Sequence, residues 1–284
     1  MGTEDELGPG GRLGAYRLES LLGEGAVGLV YRAVREPGGE VVALKVLRRE
    51  LSADEVYVRR FVHEARAAQE VRHRHLVPIV DAGEADGRSY LAVAFVDGPT
   101  LEERLQAECP LPVPNLVHVI AQVAAGLDAL HHAGIVHRDV KPSNVMLDAA
   151  GDAALTDFGL AKGRAYTVLT SPGQVLGTLD YLAPEIVRGD EATPASDVYA
   201  LGAVAFECAA GRAPFADRSL LEITRALLSE EPPDPCAERS DAPEGLGWAI
   251  LQALAKEPER RPPTATAYAH MLARASGLGH LTSP

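Results

Sequence analysis

The apolar positions of this chain change period partway along it. Between residues 16 and 96 they come in short runs rich in β-branched and aromatic residues and broken by glycine: Tyr16 to Leu22, Leu29 to Val34, Val41 to Leu47, Leu76 to Val80 and Tyr90 to Val96. Runs of that length and composition predict an antiparallel sheet of five strands. One stretch among them differs. Ala53 to Arg72 is rich in Ala, Glu, Arg and Gln, which predicts a single helix opened by Ser52 as its N-cap.

After Asp97-Gly98-Pro99 the period becomes helical. Leu116, Val119, Ile120, Val123, Leu127 and Leu130 recur at three and four residues and predict a long helix with one broad apolar face, the buried centre of a larger lobe. Val198, Leu201, Val204 and Ala205 repeat the pattern, and further helices are predicted over 220–229, 246–255 and 264–275, with a proline-rich loop over 232–243. Residues 1–13 are Gly, Pro and acid without periodicity, which predicts a flexible tail, and 277–284 a second one. The expected architecture is one α+β domain over 14–276: a small sheet lobe at 14–96 with one main helix, and a larger, mainly helical lobe at 97–276.

Composition narrows the function classes. The 284 residues, 46% hydrophobic and 24% charged, suit a globular protein with a large core. A formal net charge of -13 repels nucleic acid and anionic lipid, so neither is an expected partner. Cys109, Cys208 and Cys236 are too few and too scattered for a disulfide framework or a zinc site, and point to a reducing, cytoplasmic compartment. No apolar run is long enough to cross a bilayer, and the first residues are acidic where a signal peptide would be basic. His63, His73, His75, His131 and His132 show no spacing with acids that would gather them around a metal.

Three motifs carry chemistry. Gly23-Glu24-Gly25-Ala26-Val27-Gly28 has a spacing shared with dinucleotide-binding folds, but those need a helix after the glycines, and here Leu29-Val30-Tyr31 continues as a strand. The glycines therefore read as a hairpin lid whose amides close over phosphates. Val42-Ala43-Leu44-Lys45 places an amine on the strand beneath it, in a chain where only four basic residues are lysine. Glu64, mid-helix, is the natural partner to hold that flexible side chain extended. The strongest motif is His137-Arg138-Asp139-Val140-Lys141-Pro142-Ser143-Asn144, followed by Asp157-Phe158-Gly159. Asp139 can orient a hydroxyl and take its proton, Lys141 can offset charge on a γ-phosphate, and Asn144 with Asp157 can hold Mg²⁺ through hard oxygen ligands.

In this order, and with Ala183-Pro184-Glu185 and Ser196-Asp197-Val198 further on, the chain resembles the eukaryotic-like (Hanks-type) serine/threonine protein kinases of bacteria, from about Tyr16 to Ala275. The resemblance implies a two-lobed protein-kinase fold and a reaction that moves the γ-phosphoryl group of ATP, with Mg²⁺, to hydroxyls of proteins. It places the nucleotide against Leu22, the lid from Gly23 to Gly28, Leu29, Val30, Ala43 and Lys45. Adenine lies against the backbone of Ala94 to Val96, with Val93 at the back of the pocket. Either Asp97 or Thr100 meets the ribose. Position 94 is more often glutamate in this family, but only its carbonyl is needed. Lysine two residues after Asp139, and Gly177-Thr178 before Tyr181, resemble the serine/threonine branch.

The resemblance further implies that Asp197 supports the catalytic loop and that Arg261 pairs with Glu185. Arg138 receives a phosphorylated activation segment. Thr170 matches the position often autophosphorylated in bacterial relatives, with Thr167 and Ser171 as lesser candidates and Thr178 as a structural residue of the docking loop. Two copies would pair transiently for that step. Many relatives continue into a linker, a membrane span and a sensor. A degenerate, nucleotide-binding pseudokinase would lack one of Lys45, Glu64, Asp139, Asn144, Asp157 or the lid glycines, and all are present. A small-molecule phosphotransferase would not need the peptide-docking elements at Gly177-Thr178 and Ala183-Pro184-Glu185.

Overall fold

A computed structural model describes residues 7–25, 27–157 and 179–279. The chain divides into two compact units, one of residues 1–72 with 77–96 and the other of residues 73–76 with 97–284.

The first unit is an antiparallel sheet of β1 (Arg12–Leu13), β2 (Tyr16–Glu24), β3 (Gly28–Arg35), β4 (Glu40–Leu47), β5 (Ile79–Ala85) and β6 (Arg88–Ala94), in the order β1-β2-β3-β4-β6-β5. Alternate residues build its core: Tyr16 and Leu18, Tyr31 and Ala33, then Val42, Leu44 and Val46, with Ala92, are all buried together. A period of two along these strands is thus the inward face of one sheet. Two helices accompany it, the single turn α1 (Arg49–Ser52) and α2 (Glu55–Gln69).

Three expectations are corrected here. The tail predicted for 1–13 is ordered at its end, because Leu13 pairs with Tyr16 and is fully buried. Ser52 does not open the main helix. It ends α1, and its hydroxyl accepts from the Ser89 amide, while Asp54 caps α2 by accepting from Val56 N and Tyr57 N at 3.0 and 3.1 Å. Both residues are competent caps, and only the acid sits where the helix amides are exposed and the dipole is positive. The strand predicted over Leu76 to Val80 starts later, at Ile79, since residues 73–76 belong to the second unit. There the His75 ring bonds the Ala153 carbonyl at 2.9 Å and the Leu155 amide donates to the His75 carbonyl at 3.0 Å.

The second unit holds α3 (Leu101–Ala107), α4 (Val113–His132), the two-stranded β7 (Val145–Leu147) and β8 (Ala153–Leu155), α5 (Pro184–Arg188), α6 (Pro194–Ala210), α7 (Leu220–Ser229), α8 (Leu246–Ala253) and α9 (Ala265–Ala275). Its centre is α4 and α6. Leu116, Ile120, Val123, Leu127 and Leu130 of α4 are fully buried, and α6 is buried on every side from Ser196 to Phe206. Among the described residues α4 alone is long and apolar enough to cross a membrane, and its apolar stripe is the core of this unit. Gly202 lets α8 approach α6, because a Cβ there would lie 2.6 Å from the Cβ of Ala253.

Candidate active site

In the sheet unit, strand register gathers the predicted phosphate and adenine residues. Gly23 pairs with Val30, Val30 with Lys45 and Ala43 with Val93, and residues directly opposite share a face. Gly23, Val30, Ala43, Lys45 and Val93 therefore lie on one face, opposite the core residues Val42 and Leu44. Leu22 and Glu24 end β2, and Gly28 and Leu29 begin β3. The lid glycines divide by cause. A Cβ on Gly28 would collide with the carbonyl of Val46, so glycine there is required by the close approach of two strands. A Cβ on Gly23 would meet nothing within 4 Å, and one on Gly25 only the Gly28 carbonyl at 3.9 Å. Packing among the described residues does not require glycine at those two positions.

Arg48 holds the lid from below, donating to Glu24 Oε1 at 2.7 Å and to the Gly25 carbonyl at 3.2 Å, with its own amide on the Val27 carbonyl at 3.0 Å. Glu64 sits mid-α2, 3.7 Å from the Arg60 guanidinium. The Ala94 amide donates to the Pro78 carbonyl at 2.9 Å, at the end of β6 where Ala94 pairs with Val42. Val96 and Asp97 follow β6, with Asp97 exposed.

In the helical unit the residues 137–144 form a loop with a left-handed turn, Arg138 standing at φ 66°. Such a conformation is costly for a residue with a side chain and must be held from outside. Asp197, at the start of α6, does so. Its Oδ2 accepts from the His137 amide at 2.8 Å and its Oδ1 from the Arg138 amide at 2.9 Å, and it is 1% exposed. His137 points into the protein, where burial pushes its pKa down and keeps the ring neutral. Its partners fix the tautomer: Nε2–H donates to the Thr156 carbonyl at 3.1 Å, so Nδ1 accepts from the Asp139 amide at 3.2 Å.

Asp139 is thereby set at the rim of the loop. Its Oδ2 lies 3.2 Å from Lys141 Nζ and accepts from Asn144 Nδ2 at 3.0 Å, while the same amide donates to the Asp139 carbonyl at 2.7 Å. Because the Asn144 nitrogen is used in this way, the side-chain oxygen is the atom left for a cation. The Thr156 amide donates to the Asn144 carbonyl at 2.9 Å, which places Asp157 next in the chain, also in the left-handed region at φ 58°. An amide oxygen and a carboxylate are hard donors of the kind Mg²⁺ takes, so these residues fit that ion.

A second anchor lies beside the loop. Glu185 of α5 and Arg261 form a bidentate pair, both contacts 2.7 Å, with Ser196 donating to the same carboxylate at 2.7 Å. The pairing expected from the sequence is present and almost fully buried. Burial opposes the charge of Glu185, yet the Arg261 hydrogen bonds outweigh it and hold the carboxyl below its ordinary range. A groove beside the loop is lined by Arg138, Asp139, Lys141, Tyr181, Leu182 and Ile186. Tyr181 donates to Glu207 at 2.6 Å. Thr100 is spoken for: its hydroxyl accepts from Glu103 N at 3.1 Å and the Glu103 carboxylate returns to the Thr100 amide at 2.8 Å, a capping box that opens α3. Ala26, Phe158, Gly159, Thr167, Thr170, Ser171, Gly177 and Thr178 lie outside the described residues.

Sequence reading missed Asp128 and His131. His131 Nε2 is 2.8 Å from Asp197 Oδ2, and its Nδ1 is 3.7 Å from Asp128. Asp128 and His131 stand at i,i+3 on one helix, but the contact with Asp197, 66 residues on, has no local signal.

The comparisons with known proteins agree with this geometry. Residues 16–272 match the protein kinase domain family. The chain is 38% identical to serine/threonine-protein kinase pkn3 of Myxococcus xanthus and to PknH of Mycobacterium bovis, and 37% identical to PrkC of Bacillus subtilis, in each case over 89% of its length. It spans 48%, 42% and 39% of those relatives, less than half of each. Among solved structures, the PknI kinase domain of Mycobacterium tuberculosis superposes with a TM-score of 0.76 at 31% identity, covering 95% of this chain and 99% of that one. A sheet unit with one main helix and a mainly helical unit match the solved kinase domain, the relatives it resembles are serine/threonine-protein kinases, and the chain belongs to the protein kinase family.

Proposed function

We propose that this chain transfers the γ-phosphoryl group of MgATP to serine and threonine hydroxyls of proteins. The observation that carries this reading is the loop 137–144, where Asp139, Lys141 and Asn144 meet within 3.2 Å on a backbone that a buried acid holds fixed. Asp139 orients the incoming hydroxyl and takes its proton, and Lys141 offsets the charge that gathers on the transferred group. The oxygens of Asn144 and Asp157 would hold Mg²⁺, which when bound would supply positive charge to offset that of the phosphates.

In the sheet unit Lys45 reaches the α- and β-phosphates, held extended by Glu64, while the amides about Gly23 and Gly25 cover them. Adenine meets the Ala94 to Val96 backbone, over Leu22, Leu29, Val30, Ala43 and Val93. Asp97 takes the ribose, since the Thr100 hydroxyl is engaged in its capping box. The site of action is the cytoplasm, where MgATP is abundant, and the substrates are other proteins. A second copy of the chain serves as one of them, with Thr170 as the main acceptor, Thr167 and Ser171 as lesser ones, and Thr178 reserved for docking. The added phosphate pairs with Arg138 and orders the segment for substrate.

The test is transfer of label from γ-labelled ATP to a generic basic protein and to the chain itself. Label on serine and threonine that disappears with EDTA and in Asp139→Asn is the expected result. Intact binding of MgATP with no transfer to any protein would leave a pseudokinase instead. Peptide mapping after incubation with ATP reports whether Thr170 is modified.

A further inference from the structure

We infer that Arg48 is a positioning residue for the nucleotide: it latches the tip of the glycine lid to the end of β4, and so sets how firmly the phosphates of ATP are held while leaving adenosine untouched. The inference rests on the nucleotide site proposed above. Its geometry is a grip on both arms of the lid. The two N–H bonds of one guanidinium nitrogen, Nη2, donate to Glu24 Oε1 at 2.7 Å and to the Gly25 carbonyl at 3.2 Å, on the β2 side of the tip. The Arg48 amide donates to the Val27 carbonyl at 3.0 Å, on the β3 side. Arg48 is itself fixed from behind. Its carbonyl accepts from the Leu51 and Ser52 amides of α1 at 3.1 and 3.0 Å, and the Ser52 hydroxyl accepts from the Ser89 amide of β6 at 3.1 Å. A continuous line of hydrogen bonds thus runs from the lid through Arg48 and α1 to a strand on the far side of β4.

The tip has need of such a tie. Glu24 and Gly25 are exposed, a Cβ on Gly23 would meet nothing within 4 Å, and one on Gly25 only the Gly28 carbonyl at 3.9 Å. Glycine backbone without packed side chains loses much freedom on being ordered, and the Arg48 contacts offset that cost. Because Glu24 is exposed and Arg48 only half-buried, water screens their attraction, and the pair biases the lid without locking it. A lid that lies over its ligand for a larger fraction of the time raises the apparent affinity in proportion. In the proposed site the tip covers phosphates beside the rung of Gly23, Val30 and Lys45, whereas adenine lies at the rung of Ala43 and Val93. The latch therefore acts on one end of the nucleotide. Glu24 separates this reading from simple charge. A carboxylate next to a triphosphate repels it, so on charge alone its removal tightens ATP binding. As the partner of Arg48, its removal weakens it.

The test is calorimetry of MgATP and of adenosine with the parent, Arg48→Ala, Glu24→Ala and the double variant of the 284-residue chain. Each single change is expected to weaken MgATP about two- to fivefold with adenosine binding unmoved, and the double variant to lose no more than Arg48→Ala alone. In transfer assays KM for ATP rises by the same factor while kcat stays within about twofold. Glu24→Ala that binds MgATP as tightly as the parent, or more tightly, overturns the inference. So does an equal loss of adenosine and MgATP, which would mean a general disturbance of the sheet, or a double variant whose loss is the product of the two single losses. Should Arg48→Ala fail to fold, Glu24→Ala decides by the same criteria. A parent that binds MgATP but transfers no phosphate defeats the proposed activity, and the binding comparison still judges the latch; a parent that binds no MgATP overturns both.

Discussion

Asp139 and Asp197 both face the loop 137–144, yet they are treated differently. The side chain of Asp139 is 14% exposed, and its partners are side chains, the half-buried Lys141 and the buried Asn144. Asp197 is 1% exposed, and its partners are two backbone amides and a buried ring. The same division runs through the rest of the helical unit. Glu185 and Arg261 pair in the interior and are completed there by Ser196 and by the carbonyls of Ala255, Ala195 and Lys256, whereas Lys141 stays partly exposed. The groups proposed to do chemistry keep side-chain partners that can be exchanged, whereas Asp197, which holds the loop, is bound by backbone amides. An acid bound permanently by amides would be a poor proton acceptor, and an acid exchanging its partners would be a poor anchor.

The largest effect that could break this comparison is at the working acid. Asp139→Asn should lower kcat by about 10²–10⁴-fold while the affinity for MgATP, measured by calorimetry, and the melting temperature stay near the parent values. A variant that keeps normal turnover would mean that the base lies elsewhere. The anchors should respond the other way. Arg261→Ala leaves Glu185 buried without its cation and is expected to cost about 3–5 kcal/mol in urea unfolding. Replacing both partners, as Glu185→Gln with Arg261→Met, should cost less than the single change.

Smaller effects sharpen the boundary between the two classes. Gly202→Val forces a side chain between α6 and α8 and should cost about 1–3 kcal/mol, with KM for ATP unchanged in whatever fraction folds. The pH dependence of stability has a definite sign. The pKa of His131 is raised from 6.5 to about 9 on folding, so its contribution is complete below pH 6.5 and is lost as pH rises through about 9. The melting temperature should decline across that window, and the decline should flatten in His131→Gln. Smallest of all, Thr100→Ala removes a cap and should cost about 1 kcal/mol with no change in KM for ATP, whereas Asp97→Asn should raise that KM with no loss of stability. The opposite outcome would make Thr100 the ribose contact.

Lysine shows the limit of reading residues by rarity. Of the four in the chain, Lys45 and Lys141 were singled out for phosphate chemistry, and Lys141 is found beside Asp139. Lys256, equally rare, is buried, donates to the Ala226 carbonyl at 3.0 Å and lies 4.9 Å from the Phe215 ring. Burial pushes its pKa down to about 8. It is a packing residue, and only its surroundings say so.

The sequence by itself determined the α+β class, the strand runs that become β2 to β4, the central helices α4 and α6, and the loop motif with Asp139, Lys141 and Asn144. Each of these depends on residues near one another in the chain, where a period of two or 3.6, or an ordered motif, is visible directly. Tertiary structure decided what depends on contacts between distant segments. It gave residues 73–76 to the helical unit through Ala153 and Leu155, and made Asp54 rather than Ser52 the cap of α2. It required Gly28 for strand approach while giving Gly23 and Gly25 no packing reason to be glycine. It also brought Asp128, His131 and Asp197 into one line behind the catalytic loop, because burial removes water as the competing partner and leaves each charge no choice but another side chain or amide.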